Sequence, residues 1–408
     1  MKCRFCQADL RELFIDLFNS PASNSFLTAG QLNEPELFYP LKVYTCHNCF
    51  LVQVDEYKKS DTIFDSSYVY FSSYSRSWLE HAHNYVEMMT IRFGLNGQSQ
   101  VVEVASNDGY LLQYFVQKKI PVLGIEPTSN TAEVAKSKGV ESVIDFFGIR
   151  LAKELVVNNI KADLLLGNNV LAHVPDIIDF TRGLKILLNE KGVVTMEFPH
   201  LVQLIENNQF DTIYHEHFSY LSFTTVKDIF EAAGLDLFDV EEIPTHGGSL
   251  RIFAKHKEDI SKGISDNVTK LLDRENSKGL KDINYYLGFQ QQALNIKLSL
   301  LEFLIRQRKS GKRVAGYGAA AKGNTLLNYC DVKNDLIDFV VDANPHKQKK
   351  FLPGSHIPVV NENYLKEQKP DYVIIFPWNI EQEIKTQLFY IKEWGGNFVT
   401  VIPQLNIS

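Results

Sequence analysis

Length, composition and charge already exclude several classes of protein. The 408 residues, 45% of them hydrophobic and 22% charged, suffice for roughly two to four globular domains. A formal net charge of −7 argues against a nucleic-acid-binding surface, which needs a high local density of Lys and Arg. Because the sequence has neither an apolar run of about 18 residues nor a signal-peptide core after Met1, we expect a cytoplasmic protein without membrane association.

Four of the five cysteines form two Cys-x-x-Cys pairs near the start of the chain. Cys3 pairs with Cys6 and Cys46 with Cys49, whereas Cys330 stands alone far downstream. A reducing compartment disfavours disulfides, and four thiolates complete the tetrahedral shell of a zinc ion. A catalytic zinc would need an open coordination position, so the pattern predicts a structural zinc site that stabilises a small N-terminal module.

Strands and helices alternate after a predicted helix over residues 77–93. The segments predicted to begin with or form strands are 98–115, 122–139, 162–174 and 192–200. This alternation predicts a parallel sheet with helices packed on its faces.

The last third of the chain predicts a helical connection followed by a second α/β domain. Residues 257–312 are polar and helix-forming, and at least four strands are expected in segments 313–330, 336–348, 371–379 and 397–403. We therefore predict an α/β protein with two Rossmann-like domains after the zinc module. The predicted limits are 1–75, 76–256 and 257–408.

The turn after the first central strand, VVEVASNDG (101–109), has the composition of a cofactor-binding turn. It lacks the glycine triplet that lets a pyrophosphate approach the backbone, so a cofactor without pyrophosphate, such as S-adenosylmethionine, fits better. An ordinary strand–turn–helix without a ligand is the alternative. The candidate cofactor residues at the strand ends are Glu103, Ser106, Asn107, Asp108, Gly109, Glu126, Pro127, Asp145, Phe146, Asn168 and Asn169.

A second turn, GYGAAAKG (316–323), is richer in glycine and is followed by Asp342 at the next strand end. Alone it is a weak match to a dinucleotide fingerprint and leaves a dehydrogenase open. Alternatively, the helix start and Lys322 would hold the diphosphate of a nucleotide-linked substrate.

A dense polar cluster, Tyr214 to His217, follows the central strands. In an extended segment His215 and His217 would point to one side, and Tyr214 and Glu216 to the other. Acid–base chemistry, a metal pair of the two histidines and a purely structural role all remain open. A second polar loop begins at His246.

Together these segments resemble the sugar C-methyltransferases, which use S-adenosylmethionine to methylate C3 of thymidine-diphosphate-linked 4-keto-deoxysugars. The resemblance covers essentially the whole chain. Besides the cysteine pairs, it rests on FDSSYVYFSS (64–73), VEVASNDGYLL (102–112), GIEPT (124–128), IYHEHFSYLS (213–222), HGGSLR (246–251), GYGAAAKGNT (316–325) and PDYVIIFPWN (370–379).

The resemblance implies a central S-adenosylmethionine domain and a C-terminal domain that helps to bind the nucleotide sugar. It implies that His217 removes a proton from carbon, aided by Tyr214 and Glu216, with His173 and Tyr70 as further active-site positions. Since residue 215 is also a histidine, the identity of the base stays open. Expected substrate contacts are His246, Tyr317, Lys322, Asn344 and Lys347.

Two other classes of function compete with this hypothesis. One is an O- or N-methyltransferase acting on a sugar or small metabolite, which would not need to deprotonate carbon. The other is a non-enzymatic zinc-containing scaffold, which would have no use for the Tyr214-x-Glu216-His217 pattern.

Overall fold

Three β-sheets organise the chain in the computed structural model, which describes residues 1–59 and 71–408. They have four, seven and six strands in the N-terminal, central and C-terminal parts. The predicted α/β architecture, with two Rossmann-like sheets after a small cysteine-containing module, is confirmed.

The N-terminal sheet is completed by a strand from the middle of the chain. Its first three strands are β1 (Glu12–Ser20), β2 (Tyr39–Thr45) and β3 (Val52–Val54), which pair antiparallel. The fourth is β9 (Ser219–Tyr220), which pairs antiparallel with β3. In the chain, β9 closely follows the polar cluster of Tyr214 to His217. The N-terminal module is therefore continuous with the segment that carries the candidate catalytic residues.

The central sheet has the strand order β10-β11-β8-β7-β4-β5-β6. Its strands are β4 (Val101–Val104), β5 (Val122–Ile125), β6 (Ser142–Val143), β7 (Ala162–Asn168), β8 (Leu188–Pro199), β10 (Leu235–Ile243) and β11 (Ser249–His256). Strands β4 to β8 are parallel, and β10 and β11 add an antiparallel edge. The carboxyl ends of the parallel strands thus meet at one edge, where ligands bind in sheets of this type.

Seven helices accompany the central sheet within the described part of the chain. They are α1 (Arg76–Phe93), α2 (Leu112–Gln117), α3 (Ser129–Ser137), α4 (Ile149–Val157), α5 (Ile177–Leu187), α6 (Leu201–Glu206) and α7 (Phe223–Ala232). Helix α1 begins where Ser75 accepts a hydrogen bond from the Trp78 N–H and ends at Gly94 in the left-handed conformation.

Two helices lead into the C-terminal sheet, α8 (Asp266–Lys278) and α9 (Phe289–Lys309). The sheet has the order β14-β13-β12-β15-β16-β17, parallel except for its last strand. Its remaining elements are β12 (Val314–Tyr317), α10 (Ala321–Cys330), β13 (Val340–Val341), β14 (Val359–Val360), α11 (Glu362–Gln368), β15 (Tyr372–Ile375), α12 (Glu381–Gln387), β16 (Asn397–Thr400) and β17 (Asn406–Ile407). None of the helices described is both long and apolar enough to cross a membrane.

The N-terminal module packs against both domains. Strands β1 to β3 share one buried core with α9 and α10, in which the Phe14 and Phe289 rings stack at 4.7 Å. Cys3 and Cys46 belong instead to the core of the central domain.

The domain limits predicted from the sequence lie close to the ends of two elements. Helix α1 begins at Arg76 and strand β11 ends at His256, so we retain the division at residues 75 and 256 as a proposal.

The four N-terminal cysteines converge on one point. Their sulfurs all lie within 4.8 Å of one another, and the Cys3–Cys49 and Cys6–Cys46 pairs are 3.5 Å apart. Tetrahedral zinc with Zn–S bonds of about 2.3 Å places its sulfurs about 3.8 Å apart, so the quartet fits a zinc ion. With four thiolates as ligands no open coordination position remains, and such a metal is structural.

The two cysteine pairs sit on turns of the same geometry. The Gln7 N–H donates to the Cys3 carbonyl at 3.0 Å, and the Phe50 N–H donates to the Cys46 carbonyl at 2.9 Å. Gln7 and Phe50 both have positive φ, at 62° and 59°. This repeated turn aims both sulfurs of each pair at the common centre.

Replacing one thiolate should abolish zinc binding and destabilise the module. We expect Cys46→Ser to retain less than about a tenth of the zinc of the wild type, with a lower melting temperature, because three thiolates do not close the tetrahedral shell. Metal content by mass spectrometry and thermal unfolding check this. Cys330→Ala, in α10, is the control and should keep its zinc; full zinc content in Cys46→Ser would contradict the assignment.

Candidate active site

The candidate site lies between the ligand-binding edge of the central sheet and the first turn of α10. The segment of Tyr214–His217 is held by the C-terminal domain, since the Thr325 hydroxyl donates to the carbonyl of the preceding Ile213 at 2.8 Å. The Trp378 indole N–H also donates to the Asp211 carboxylate at 2.8 Å. Both domains therefore fix the position of this segment.

Acidic side chains dominate the half of the site formed by the central sheet. Glu103, in β4, is fully buried, and the Tyr110 side chain is the hydrogen-bonding group that favours its ionised form. Burial, together with the charges of Glu126 and Asp108, raises the pKa of the Glu103 carboxyl well above its ordinary value. A positively charged ligand would relieve this electrostatic cost.

Several predicted cofactor residues shape the turn itself. Glu126 accepts the N–H groups of Asn107 and Thr128, each at 2.9 Å, so its carboxylate already braces the turn. Asp108 is paired with Lys138 at 3.2 Å. Pro127, directly after Glu126, is partly buried.

Small residues in this region make room for close packing. Gly109 has φ of +71°, and a Cβ there would lie 3.1 Å from Ala135 of α3. The Ser106 hydroxyl lies against Gly124, where a Cβ would approach it to 2.5 Å. These two candidates thus serve the packing of the turn against α3 and β5.

The remaining cofactor candidates line the rest of the strand edge. Asn168, at the end of β7, is buried, and neither atom of its amide group has a partner within the described residues. The side-chain oxygen of Asn169 likewise lacks one. At the end of β6, Phe146 is 41% exposed, and Asp145 accepts a hydrogen bond from Arg150 at 2.6 Å. Unmet amide groups beside buried carboxylates fit a polar, cationic cofactor such as S-adenosylmethionine.

The segment Tyr214–His217 is not extended, so the alternation that an extended backbone would give does not apply. The backbone turns there, and the His217 N–H donates to the Tyr214 carbonyl at 2.9 Å. Consequently the rings of Tyr214 and His217 lie together, with centroids 4.0 Å apart. His215 instead bonds to the Pro40 carbonyl at 3.1 Å and contacts Tyr39, so the two histidines have different partners and do not form the suggested metal pair.

The imidazole of His217 is oriented and kept neutral. Its Nδ1 lies 2.9 Å from the Thr212 carbonyl, and because a carbonyl can only accept, this nitrogen carries the proton and Nε2 has the free lone pair. The His173 ring stands edge-on at 4.6 Å. Burial, assisted by the charge of His173, lowers the pKa of His217 well below its usual value. Burial also lowers the pKa of His173 to about 4.

Glu216 and His246 occupy two further sides of the site. Glu216 accepts a hydrogen bond from the Asn24 amide at 2.8 Å, and burial raises the pKa of its carboxyl to about 6. His246 has φ of 55° and contacts the Trp78 ring edge at 5.0 Å. Burial and the charge of Lys322 lower the pKa of His246 to about 4.

Lys322 brings a half-buried positive charge from the C-terminal domain. Its ammonium donates to the Asn379 side chain at 2.7 Å and lies over the Trp378 ring at 4.2 Å. Burial lowers the pKa of Lys322 to about 8, against the opposing charge of Asp211. Sequence reasoning missed Asp211, Trp378 and Asn379, although the last two fall in the PDYVIIFPWN segment.

The glycine-rich turn of the C-terminal domain is already filled by the chain itself. A Cβ at Gly316 would lie 2.4 Å from Phe376, and one at Gly318 would lie 2.5 Å from Pro377. Asp342, the acidic residue that follows this turn, accepts the Ala319 N–H at 2.7 Å. The glycines thus serve close packing, and this turn does not offer the open backbone that a dinucleotide pyrophosphate requires.

The other C-terminal candidates are engaged within their own domain. The Tyr317 hydroxyl accepts a hydrogen bond from Gln387 at 2.9 Å. Asn344 accepts the His346 N–H at 2.9 Å, and Lys347 donates to the Ala319 carbonyl at 2.9 Å. Tyr70 lies outside the described residues.

Comparison with protein families divides the chain into three matched regions. Residues 3–64 match a zinc binding domain, residues 78–240 a methyltransferase domain and residues 244–403 a C-methyltransferase C-terminal domain. The C-methyltransferase NovU of Streptomyces niveus is 33% identical over 403 residues, which cover 99% of this chain and 96% of NovU.

Two solved methyltransferase structures each resemble less than half of the chain. An S-adenosylmethionine-dependent methyltransferase from Clostridium acetobutylicum has a TM-score of 0.36 and 12% identity, covering 44% of this chain and 92% of its own. Magnesium protoporphyrin IX methyltransferase of Synechocystis has a TM-score of 0.33 and 15% identity, covering 43% and 78%.

The cysteine quartet, the acidic strand edge and the full-length similarity to NovU agree with one another. They separate this chain from the scaffold and dehydrogenase hypotheses. The chain belongs to the C-methyltransferase family: it is an S-adenosylmethionine-dependent methyltransferase with an N-terminal zinc-binding module.

Proposed function

We propose that this enzyme methylates C3 of a nucleotide-linked 4-keto-6-deoxysugar, with thymidine diphosphate as the expected nucleotide. The observation that carries the proposal is the neutral, oriented imidazole of His217 in a buried site between two domains. Carbon is a poor nucleophile until a proton is removed beside a ketone. Heteroatom methylation needs no such base on carbon, so this feature favours a keto substrate.

In the proposed reaction Nε2 of His217 removes the C3 proton and leaves an enolate. S-adenosylmethionine, when bound, supplies a methyl group on a positively charged sulfur. The enolate carbon forms the new C–C bond, the S–CH₃ bond breaks, and its electron pair stays on sulfur. His217 then returns its proton to solvent, and the Thr212 carbonyl stabilises the transient imidazolium through Nδ1–H.

Other residues of the cluster position the substrate and the developing charge. We assign Tyr214, packed on His217 at 4.0 Å, to the enolate oxygen, because a phenol O–H there would stabilise negative charge. His173 would shield the base, and Glu216 would orient the sugar; Tyr70 keeps the assignment given by the family resemblance. Of the two histidines in the turn, we propose His217 as the base, since His215 faces β2.

The acidic half of the site is the proposed cofactor pocket. Sulfonium and ammonium groups give S-adenosylmethionine two positive charges, which complement the buried Glu103 and its neighbours. Asn168 and Asn169 would meet the polar groups of the cofactor, and Asp145 and Phe146 its adenine. Glu126 would act mainly by bracing the turn.

The opposite half is the proposed site for the nucleotide diphosphate. Lys322, whose pKa of about 8 leaves it mostly charged at neutral pH, would contact the phosphates. His246 lies within the electrostatic reach of Lys322 and would line the same space. Lys347, Asn344 and Tyr317 are further candidates for substrate contacts, and each has a hydrogen-bond partner in its own domain.

The reaction itself can be tested with a panel of thymidine-diphosphate 4-keto-6-deoxysugars. The product should carry one new methyl group on carbon, seen by ¹³C NMR. His217→Asn should lose at least about 100-fold in kcat, the usual contribution of a general base. His215→Gln is the matched control in the same turn and should stay within about threefold of the wild type. Methylation of oxygen or nitrogen, or equal losses in both variants, would contradict the proposal.

Cofactor binding should depend on Glu103 and on pH. Because burial raises the pKa of Glu103, its carboxyl is protonated in the free enzyme at low pH, whereas a cationic cofactor favours the ionised form. The affinity for S-adenosylmethionine, measured by calorimetry, should therefore rise with pH above the ordinary pKa of a glutamate carboxyl, about 4.3. Glu103→Gln should bind at least about tenfold more weakly without this pH dependence.

The control for this measurement is Glu80→Gln, on the exposed face of α1. It should reproduce the affinity and the pH dependence of the wild type. An unchanged pH dependence in Glu103→Gln would show that another group titrates on binding.

A further inference from the structure

Arg4, between the two cysteines of the first zinc turn, reaches away from the metal into the active-site loops. We propose that Arg4 is a positioning residue, which holds the loops of His173 and His217 against each other. Through the Arg4 side chain, the zinc turn determines the position of the proposed base, His217. This inference rests on the proposed role of the two imidazoles and extends it to a residue outside the reacting groups.

The guanidinium of Arg4 contacts both loops at once. Its Nη1 donates to the Pro175 carbonyl at 2.8 Å, two residues after His173. Its Cζ lies over the ring of Phe218, 5.4 Å from the ring centroid. Phe218 directly follows His217. One side chain thus spans the two segments that bring the candidate imidazoles to 4.6 Å from each other.

The same guanidinium ties these loops to the zinc-module sheet. Its Nη2 donates to the Val54 carbonyl at 2.5 Å, at the end of β3. The Val54 N–H donates to the Phe218 carbonyl at 3.1 Å, and the Phe218 N–H donates to the Ala172 carbonyl at 2.7 Å. Arg4 therefore sits beside a short chain of backbone bonds that links β3, the His217 segment and the His173 segment.

The zinc centre fixes the backbone of Arg4. The Arg4 N–H donates to the Gln53 side-chain oxygen at 2.9 Å, and the Gln53 amide donates to the Cys3 sulfur at 3.2 Å. Gln53 also pairs with Ser219 through its backbone. Closing the metal site thus orders the backbone from which Arg4 extends.

Arginine suits this task better than lysine. Its planar fork donates in two fixed directions and stacks on an aromatic ring, which a single ammonium group does not do. Burial lowers the pKa of Arg4, so placing its charge here carries a cost that the two carbonyl bonds offset. A side chain that only stabilised the module would not need to span two loops of the next domain.

The test compares Arg4→Met and Arg4→Lys with Arg11→Met in the full-length zinc-loaded protein. Arg11 is exposed in the same module and serves as the matched control. Four quantities are measured: zinc content, S-adenosylmethionine affinity, amide hydrogen exchange and steady-state kinetics with the keto-sugar. Exchange is followed in peptides covering residues 172–175 and 217–220.

We expect Arg4→Met to keep its zinc and its cofactor affinity while both peptides exchange at least about tenfold faster. Its kcat should fall at least about tenfold with both KM values within about threefold, because a misplaced base slows chemistry without weakening binding. Arg4→Lys should restore only part of the protection, and Arg11→Met should match the wild type.

Three results would overturn the inference. Loss of zinc in Arg4→Met would mean that Arg4 serves the module alone. Unchanged exchange in both peptides would mean that it does not couple the loops, and full rescue by Arg4→Lys would mean that charge alone suffices. If the wild type methylates no keto-sugar, the proposed function fails separately, and the exchange data still decide the role of Arg4.

Discussion

A neutral imidazole in a fixed orientation is the constraint on which the rest of the structure depends. A base that takes a proton from carbon must hold its lone pair ready beside a positively charged methyl donor. Burial keeps His217 uncharged, and the Thr212 carbonyl selects the tautomer with Nε2 free. Both conditions require the 214–217 turn, which is held by β9 on one side and by α10 on the other.

Opposite charges in the candidate site come from different domains. Buried carboxylates around Glu103 lie on the central-sheet side, where a cationic cofactor fits. Lys322 brings a positive charge from the opposite domain, where we propose that the diphosphate binds. The overall charge of −7 therefore says little about ligand binding, because the relevant charges are local and buried. Family membership shows the cofactor, and the positive charge of Lys322 supports the diphosphate of the proposed substrate.

Local sequence patterns predicted much of this architecture. They could not predict contacts between segments that are distant in the chain. The cysteine spacing and the βα alternation are local, and both predicted the correct modules. The turn at Tyr214–His217 was missed because side-chain alternation assumes an extended backbone. The role of Gly316 was missed because its neighbour Phe376 belongs to a distant strand end. The role of Arg4 could not be predicted from the neighbouring sequence, because its partners Val54 and Pro175 are distant in the chain.

Proton removal without methyl transfer tests the central claim most directly. The enzyme is saturated with S-adenosylhomocysteine, which has no methyl group to donate, and incubated with the keto-sugar in heavy water. We predict that wild-type enzyme exchanges the C3 hydrogen for deuterium, seen by NMR, and that His217→Asn does not. Exchange at the wild-type rate in His217→Asn would contradict the account, because another group would then be the base.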